Sequence, residues 1–158
     1  MSLLLKTLES FCPNITYLNL AEVEFSTEFI EFIGNLQKLQ FLTLLDTYII
    51  PGGEPKMLVM QFAKLLPVTL QYLNLRSIRW SCIRTYIDIL FNNCYAPLKY
   101  LLIDHLKDEK EAKALIEFCI RRKTLNYVGV SINFDDNIKK DVEKYVKLIP
   151  WQRIVVNC

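Results

Sequence analysis

Few residues of the chain have the types and spacing that catalysis or metal binding requires. The single histidine, His105, has no cysteine or paired carboxylate at the spacing of a metal-ligand set or a catalytic pair. The five cysteines are widely scattered, at Cys12, Cys82, Cys94, Cys119 and Cys158, and form no Cys-x-x-Cys pair. We therefore predict free, buried thiols, no metal site, no cofactor and no catalytic residue.

Paired acids and paired glycines also have structural interpretations. Asp108-Glu109 and Asp135-Asp136 each open a predicted helix, where a carboxylate interacts favourably with the positive end of the helix dipole. Gly52-Gly53 lacks the glycine spacing and the Lys-Ser/Thr step of a phosphate-binding loop. We interpret the acids as helix caps and the glycines as part of a loop insertion.

Basic side chains give the only indication of nucleic-acid binding. They are grouped at Arg76, Arg79 and Arg84, at Arg121-Arg122-Lys123 and at Lys139-Lys140. Acidic residues are interleaved in the same helices, and 19 basic against 17 acidic side chains leave a net charge of only +2. Nucleic-acid binding is therefore the least favoured alternative.

Length and apolar content favour one globular domain outside the membrane. The chain has 158 residues, of which 52% are hydrophobic, which suffices for a sizeable core. No apolar run approaches the ~18 residues that a membrane span requires, and Leu3-Leu4-Leu5 is too short for the apolar region of a signal peptide. We expect an intracellular protein, cytoplasmic or nuclear.

The elements that would position any site follow from an internal repeat. An apolar triplet with the spacing of a strand occurs six times, at Ile15-x-x-Leu18-x-Leu20, Leu39-x-x-Leu42-x-Leu44, Leu70-x-x-Leu73-x-Leu75, Leu98-x-x-Leu101-x-Ile103, Leu125-x-x-Val128-x-Val130 and Trp151-x-x-Ile154-x-Val156. Successive copies begin 24, 31, 28, 27 and 26 residues apart. The predicted strands lie near 15–20, 39–45, 70–76, 98–104, 125–131 and 151–157.

Between the triplets the apolar spacing changes to that of an amphipathic helix. Predicted helices cover 2–11, 26–36 with Ser26 as the N-cap, 54–66 with Pro55 in the first turn, 81–92, 108–123, and a last one from Asp135 or Asp136 to about Ile149. Ile120 and Tyr145 are expected among the inward-facing helix residues, and some of Leu58, Phe62, Leu65 and Leu66 are expected to be buried. Because each strand precedes a helix, the strands are predicted to be parallel and to form one α/β domain over 1–158.

These repeats resemble the leucine-rich-repeat proteins, whose repeats carry L-x-x-L-x-L followed by a helix. Cys12-Pro-Asn-Ile-Thr-Tyr-Leu-Asn-Leu20 is most similar to the cysteine-containing repeats of F-box proteins and related cullin-dependent substrate receptors. The resemblance implies a short horseshoe-shaped solenoid, with the parallel sheet on the concave face and helices on the convex face. The family's turn residue, Asn or Cys, is replaced here by Val23, Thr47, Ile78 and Leu106, and only Asn133 conforms.

The alternation of a strand predicts which residues face away from the core. The first outward position of each strand is mostly aromatic, with Tyr17, Phe41, Tyr72, Tyr100, Tyr127 and Arg153. The second holds Asn19, Thr43, Asn74, Leu102, Gly129 and Val155, and the third Ala21, Leu45, Arg76, Asp104, Ser131 and Asn157. The aromatic column either packs only on itself or binds a protein partner, and Arg76 either contacts that partner or pairs with Asp104.

We favour a protein-protein interaction module without catalysis. The predicted partner-binding residues are Tyr17, Asn19, Phe41, Thr43, Tyr72, Asn74, Arg76, Tyr100, Asp104, Tyr127 and Arg153. The resemblance implies substrate recognition for a ubiquitin ligase of the F-box and cullin type, and the alternative is an assembly or structural adaptor, as in coupling-factor-like leucine-rich-repeat proteins. The last strand has no following helix, so self-association through its edge is also expected.

Overall fold

The computed structural model describes residues 3–49, 52–76, 82–104, 106–131 and 136–154. In these ranges the chain forms one six-stranded, wholly parallel sheet whose strands lie side by side in chain order. From β1 to β6 the strands are Tyr17–Ala21, Phe41–Leu45, Tyr72–Asn74, Tyr100–Leu102, Tyr127–Val130 and Lys147–Pro150. The α/β class and the parallel sheet are as predicted. The predictions for the following residues lie outside the described residues: Ile78, Arg79, His105, Asn133, Asp135, Val155, Val156, Asn157 and Cys158.

Helices form the connections between the strands. From α1 to α7 they span Leu3–Phe11, Thr27–Asn35, Pro55–Leu65, Cys82–Thr85, Ile87–Asn93, Glu109–Arg121 and Asp136–Val142. The single helix predicted over 81–92 is instead two helices, because Tyr86 between them has a non-helical backbone. Neighbouring helices of the chain also pack on one another, from α1 against α2 to α6 against α7.

A ladder of aliphatic residues joins the sheet to this helical layer. One position of each strand is in register with the same position of the next strand, at Leu18, Leu42, Leu73, Leu101, Val128 and Leu148. All six side chains are buried, and they belong to the same hydrophobic cluster as Phe29, Phe62, Phe91 and Phe118 of the helices. The core therefore lies between one face of the sheet and the helices.

Polar caps fix where two of the helices begin. The Ser26 side chain accepts a hydrogen bond from the Phe29 backbone N–H at 3.4 Å, and Asp108 accepts one from the Glu111 N–H at 2.9 Å. These contacts satisfy backbone donors that have no partner within the helix. Both capping predictions are confirmed.

A buried carboxylate holds α4 against α6. Arg84 Nη1 lies 3.1 Å from each carboxylate oxygen of Glu111, and the Lys107 backbone N–H donates to Glu111 Oε2 at 2.7 Å. Nearby, the Lys110 ammonium lies 2.7 Å from Asp88 and connects α6 to α5. Arg121 Nη2 also donates to the Phe91 carbonyl at 2.6 Å. Charged contacts therefore stabilise the helical layer in addition to apolar packing.

The predicted position of the last strand is wrong. The predicted helix reaching Ile149 ends at Val142, β6 begins at Lys147, and Trp151–Arg153 is a 3₁₀-helix. A strand at 147–150 places Leu148 beside Val128 in the core, and proline is tolerated at the end of a sheet-edge strand. The connection from β5 to β6 is consequently shorter than the other connections.

Two helix residues expected to face inward, Ile120 and Tyr145, are exposed instead. Leu65 is also exposed, while Phe62 and Leu66 of the same predicted group are buried, as expected. Tyr145 follows the end of α7 and is therefore in a turn, while Leu65 and Ile120 lie at the last or next-to-last residue of their helices. An apolar residue at a helix end can belong to the correct period and still remain outside the core.

The aliphatic ladder predicts a large difference between two leucine substitutions. Leu73→Ala should lower the free energy of unfolding by about 2–5 kcal/mol, because Leu73 is 0% exposed and its truncation leaves a cavity. The matched change Leu65→Ala, at a side chain that is 45% exposed, should cost less than about 1 kcal/mol. Urea denaturation followed by circular dichroism measures both values, and equal losses would contradict the strand phase.

Candidate protein-binding face

The sheet face opposite the core carries the predicted aromatic column. We call this surface the ring face and define it by the outward-pointing residues of the six strands. Tyr17, Phe41, Tyr72, Tyr100 and Tyr127 are in register across β1 to β5. Successive ring centroids are 6.3, 6.0, 6.4 and 5.6 Å apart, which is the separation of interacting aromatic pairs. Mutual packing of the rings is therefore present.

Lys147, rather than Arg153, occupies the sixth position of the column. Lys147 is in register with Tyr127, and its ammonium lies 5.6 Å from the Tyr127 ring centroid. Arg153 lies in the 3₁₀-helix after β6 and is exposed. The prediction for Arg153 assumed that the last repeat had the usual length, whereas β6 begins earlier than that length requires.

Accessibility differs sharply along the ring face. Tyr17 at the β1 end is 49% exposed, whereas Tyr72 on β3 is only 9% exposed. In the second outward column, Asn19 is exposed, while Thr43, Asn74, Leu102 and Gly129 are buried. The β1 end of the ring face is therefore open to a partner, and its middle is covered.

The segment Trp151–Ile154 lies over the ring face and accounts for part of this cover. A Cβ atom built on Gly129 would lie 2.8 Å from Ile154 Cδ1 and 3.3 Å from the Trp151 Cα. It would also lie 3.0 Å from Leu102 Cγ, so Gly129 and Leu102 lie together beneath this segment. Glycine at position 129 permits this close approach, and no unusual backbone angle is involved.

Arg76 also contacts this segment. Its guanidinium carbon lies 3.6 Å from the centroid of the Trp151 ring, which is a close cation-π stack. The Arg76 backbone N–H and its Nε both donate to Asn74 Oδ1, at 3.2 and 3.3 Å. Asn74 therefore orients Arg76. The sequence left two alternatives for Arg76, a partner contact or a pair with Asp104, and the structure adds a third, which is stacking on Trp151.

The residues predicted at the third outward position, among them the site residue Asp104, differ in exposure. Asp104 and Ser131 are half-buried and adjacent, since the Ser131 N–H donates to the Asp104 carbonyl at 2.7 Å. Ala21 is exposed and Leu45 half-buried at the β1 end. Lys147, Trp151 and Ile154 were not placed on this face by the sequence pattern. The sequence carries one weak signal for a strand that begins before Trp151: a polar residue, Lys147, is followed by an apolar one, Leu148, as at the outward and inward positions of a strand.

Several of the basic groups have partners within the chain. Arg84 is paired with Glu111, Arg121 donates to a backbone carbonyl, and the Arg122 guanidinium lies 5.0 Å from the Tyr95 ring centroid. Together with the stacking of Arg76 on Trp151, these contacts leave fewer free cations for a phosphate backbone.

Two cysteines whose burial the structure describes lie in the core. Cys94 and Cys119 are free and buried, and desolvation of the thiolate raises the pKa of each to about 11. Cys12 is free and exposed, so the prediction of a buried thiol is wrong at that position. Within the described ranges, no group of three or more His, Cys, Asp or Glu residues is arranged to hold a metal ion.

No protein-family model, curated protein or solved structure matches the chain. The resemblance to leucine-rich-repeat proteins therefore rests on the residues of the chain alone. Among the helices of the described ranges, none is long and apolar enough to cross a membrane.

The raised pKa values predict selective alkylation of the native protein. At pH 8, a thiol with a pKa of about 11 is thiolate in only about one molecule in a thousand, so Cys94 and Cys119 should resist iodoacetamide. Cys12 should react quickly because it is exposed. Peptide mass spectrometry reads each site separately, and urea-unfolded protein provides the control in which all three react. Fast native labelling of Cys94 would contradict its burial.

Proposed function

We propose that the chain is a leucine-rich-repeat solenoid that acts as a protein-protein interaction module. The proposal of stacked repeats is supported by a repeated unit of strand and helix, in which equivalent residues of neighbouring strands lie side by side. Stacked units of this kind bury a continuous core and present one extended face. The module would bind its partner on the ring face.

The exposed end of the aromatic column is the observation that carries the binding proposal. Tyr17 is 49% exposed and contacts Phe41, and exposed Asn19 lies beside it in the next outward column. Tyrosine supplies a large, amphipathic contact area at a low cost in side-chain entropy, which is why it is frequent at the centre of interfaces. Packing of Tyr17 against Phe41 would hold the ring ready for contact.

Recognition of a substrate for a ubiquitin ligase is the more specific form of the proposal. It rests on the resemblance of residues 12–20 to cysteine-containing repeats of F-box and related substrate receptors. In that role the ring face would hold the substrate, and another region or chain would dock to the cullin machinery. The assembly-adaptor alternative predicts a complex of fixed stoichiometry without cullin subunits.

A matched pair of tyrosine substitutions tests the binding face. Tyr17→Ala should weaken partner binding about five- to thirtyfold, because it removes an exposed ring from the proposed contact area. Tyr95→Ala is the control, since Tyr95 is similarly exposed but lies between α5 and β4, outside the column. Affinity capture with quantitative mass spectrometry compares the two variants with the unchanged protein.

The captured proteins also separate the two forms of the proposal. Cullin or adaptor subunits captured by all three proteins, together with a further protein lost only with Tyr17→Ala, would support the ligase role. A complex of fixed stoichiometry without cullin subunits, lost only with Tyr17→Ala, would support the assembly role. Thermal melting of both variants provides the stability control. Equal capture by all three proteins, with the folds intact, would contradict binding at the β1 end of the ring face.

A further inference from the structure

We propose that the ring face contains a peptide-binding seat over β3 to β5, and that Trp151–Ile154 fills it as an internal ligand that a partner segment can displace. The seat would take a segment that forms one 3₁₀ turn, as Trp151–Arg153 does, with an aromatic residue and, three positions later, a branched aliphatic residue. The identity of the displacing partner rests on the proposed function, whereas the seat itself rests on contacts within the chain.

The aromatic half of the seat is built from Arg76 and Asn74. The Arg76 guanidinium stacks 3.6 Å from the Trp151 ring centroid, and Asn74, which is 5% exposed, fixes the arginine through two hydrogen bonds. A guanidinium held in one orientation favours a planar aromatic group over a flexible aliphatic one. The preferred group at this position is therefore an indole or a phenol ring.

The aliphatic half is a shallow depression created by a missing side chain. Gly129 leaves room that Ile154 Cδ1 fills, at 2.8 Å from where a Cβ atom would stand, and Leu102 forms the neighbouring wall. Leu102 is only 2% exposed although it points away from the main hydrophobic cluster. An aliphatic group is therefore favoured here, because a polar group would lose hydration without gaining a partner.

The segment is attached in a way that permits exchange. Trp151–Arg153 is a single 3₁₀ turn with one internal hydrogen bond, from the Ile154 N–H to the Trp151 carbonyl at 3.1 Å. Gln152 and Arg153 are exposed, and Trp151 and Ile154 are half-buried. Segments with few buried contacts and exposed backbone lie at the low end of local stability. Opening the seat therefore requires no separation of the strands.

A labelled peptide of residues 149–156 is the probe for the seat. In the unchanged protein it competes with the tethered segment, whose effective concentration is of millimolar order. In the full-length double variant Trp151→Ala/Ile154→Ala the tethered segment should no longer compete. Fluorescence anisotropy should then show binding at least about tenfold tighter than to the unchanged protein.

Two variants built on this emptied seat locate the peptide. Gly129→Val should abolish binding, because the valine side chain fills the aliphatic depression. Arg76→Met should weaken binding about fivefold, because it removes the cation but keeps an apolar stem of similar length. A peptide carrying alanine in place of its tryptophan is the ligand control, and circular dichroism checks that each variant is folded.

The possible results are distinct from those for the proposed function. Tighter binding to the emptied seat, lost with Gly129→Val and weakened with Arg76→Met, supports the proposal. Failure of the folded double variant to bind the peptide, or equal binding to all variants, overturns it and makes Trp151–Ile154 a fixed cover of the ring face. Tyr17 lies on β1, outside the seat, so the capture experiment with Tyr17→Ala can succeed or fail independently.

Discussion

The structure depends on the in-register parallel pairing of the aliphatic ladder from Leu18 to Leu148. Strand side chains alternate between the two faces of the sheet. When the ladder is buried in the core, the neighbouring positions of each strand must therefore lie on the ring face. In β1 to β4, a shift of one residue could bring the tyrosine or phenylalanine of the column into the core and expose the leucine of the ladder. The register of the apolar core therefore determines where the aromatic column stands.

The same constraint relates the two interpretations of the column. Neighbouring strands are about 4.8 Å apart, so rings at equivalent positions must contact one another whether or not a partner binds. Self-packing and partner binding are consequently compatible: a ring restrained by its neighbours loses less conformational entropy when it is bound. Positions along the column differ in their solvent exposure. Tyr17 remains open, whereas Tyr72 is nearly enclosed.

Much of the fold could be predicted because its first five repeats obey one period. The five aromatic positions, the caps at Ser26 and Asp108 and the parallel order of the strands follow from local patterns that agree with the tertiary packing. The sixth repeat could not be placed by that period. Trp151, Ile154 and Val156 imitate the apolar triplet, while Pro150 makes the true strand look unsuitable. Contacts such as Arg76 with Trp151 join residues far apart in sequence, and no local pattern encodes them.

The early end of the sheet and the covered middle of the ring face have one physical origin. Had β6 begun near 151, as the period predicts, Trp151 and Ile154 would point into the core and Gly129 would have no segment above it. Because β6 instead ends at Pro150, the apolar residues that follow must find another surface or remain in water. The ring face supplies that surface at Leu102 and Gly129, and Arg76 completes it. A surface that holds an aromatic and an aliphatic side chain of its own chain has the chemistry to hold those of another.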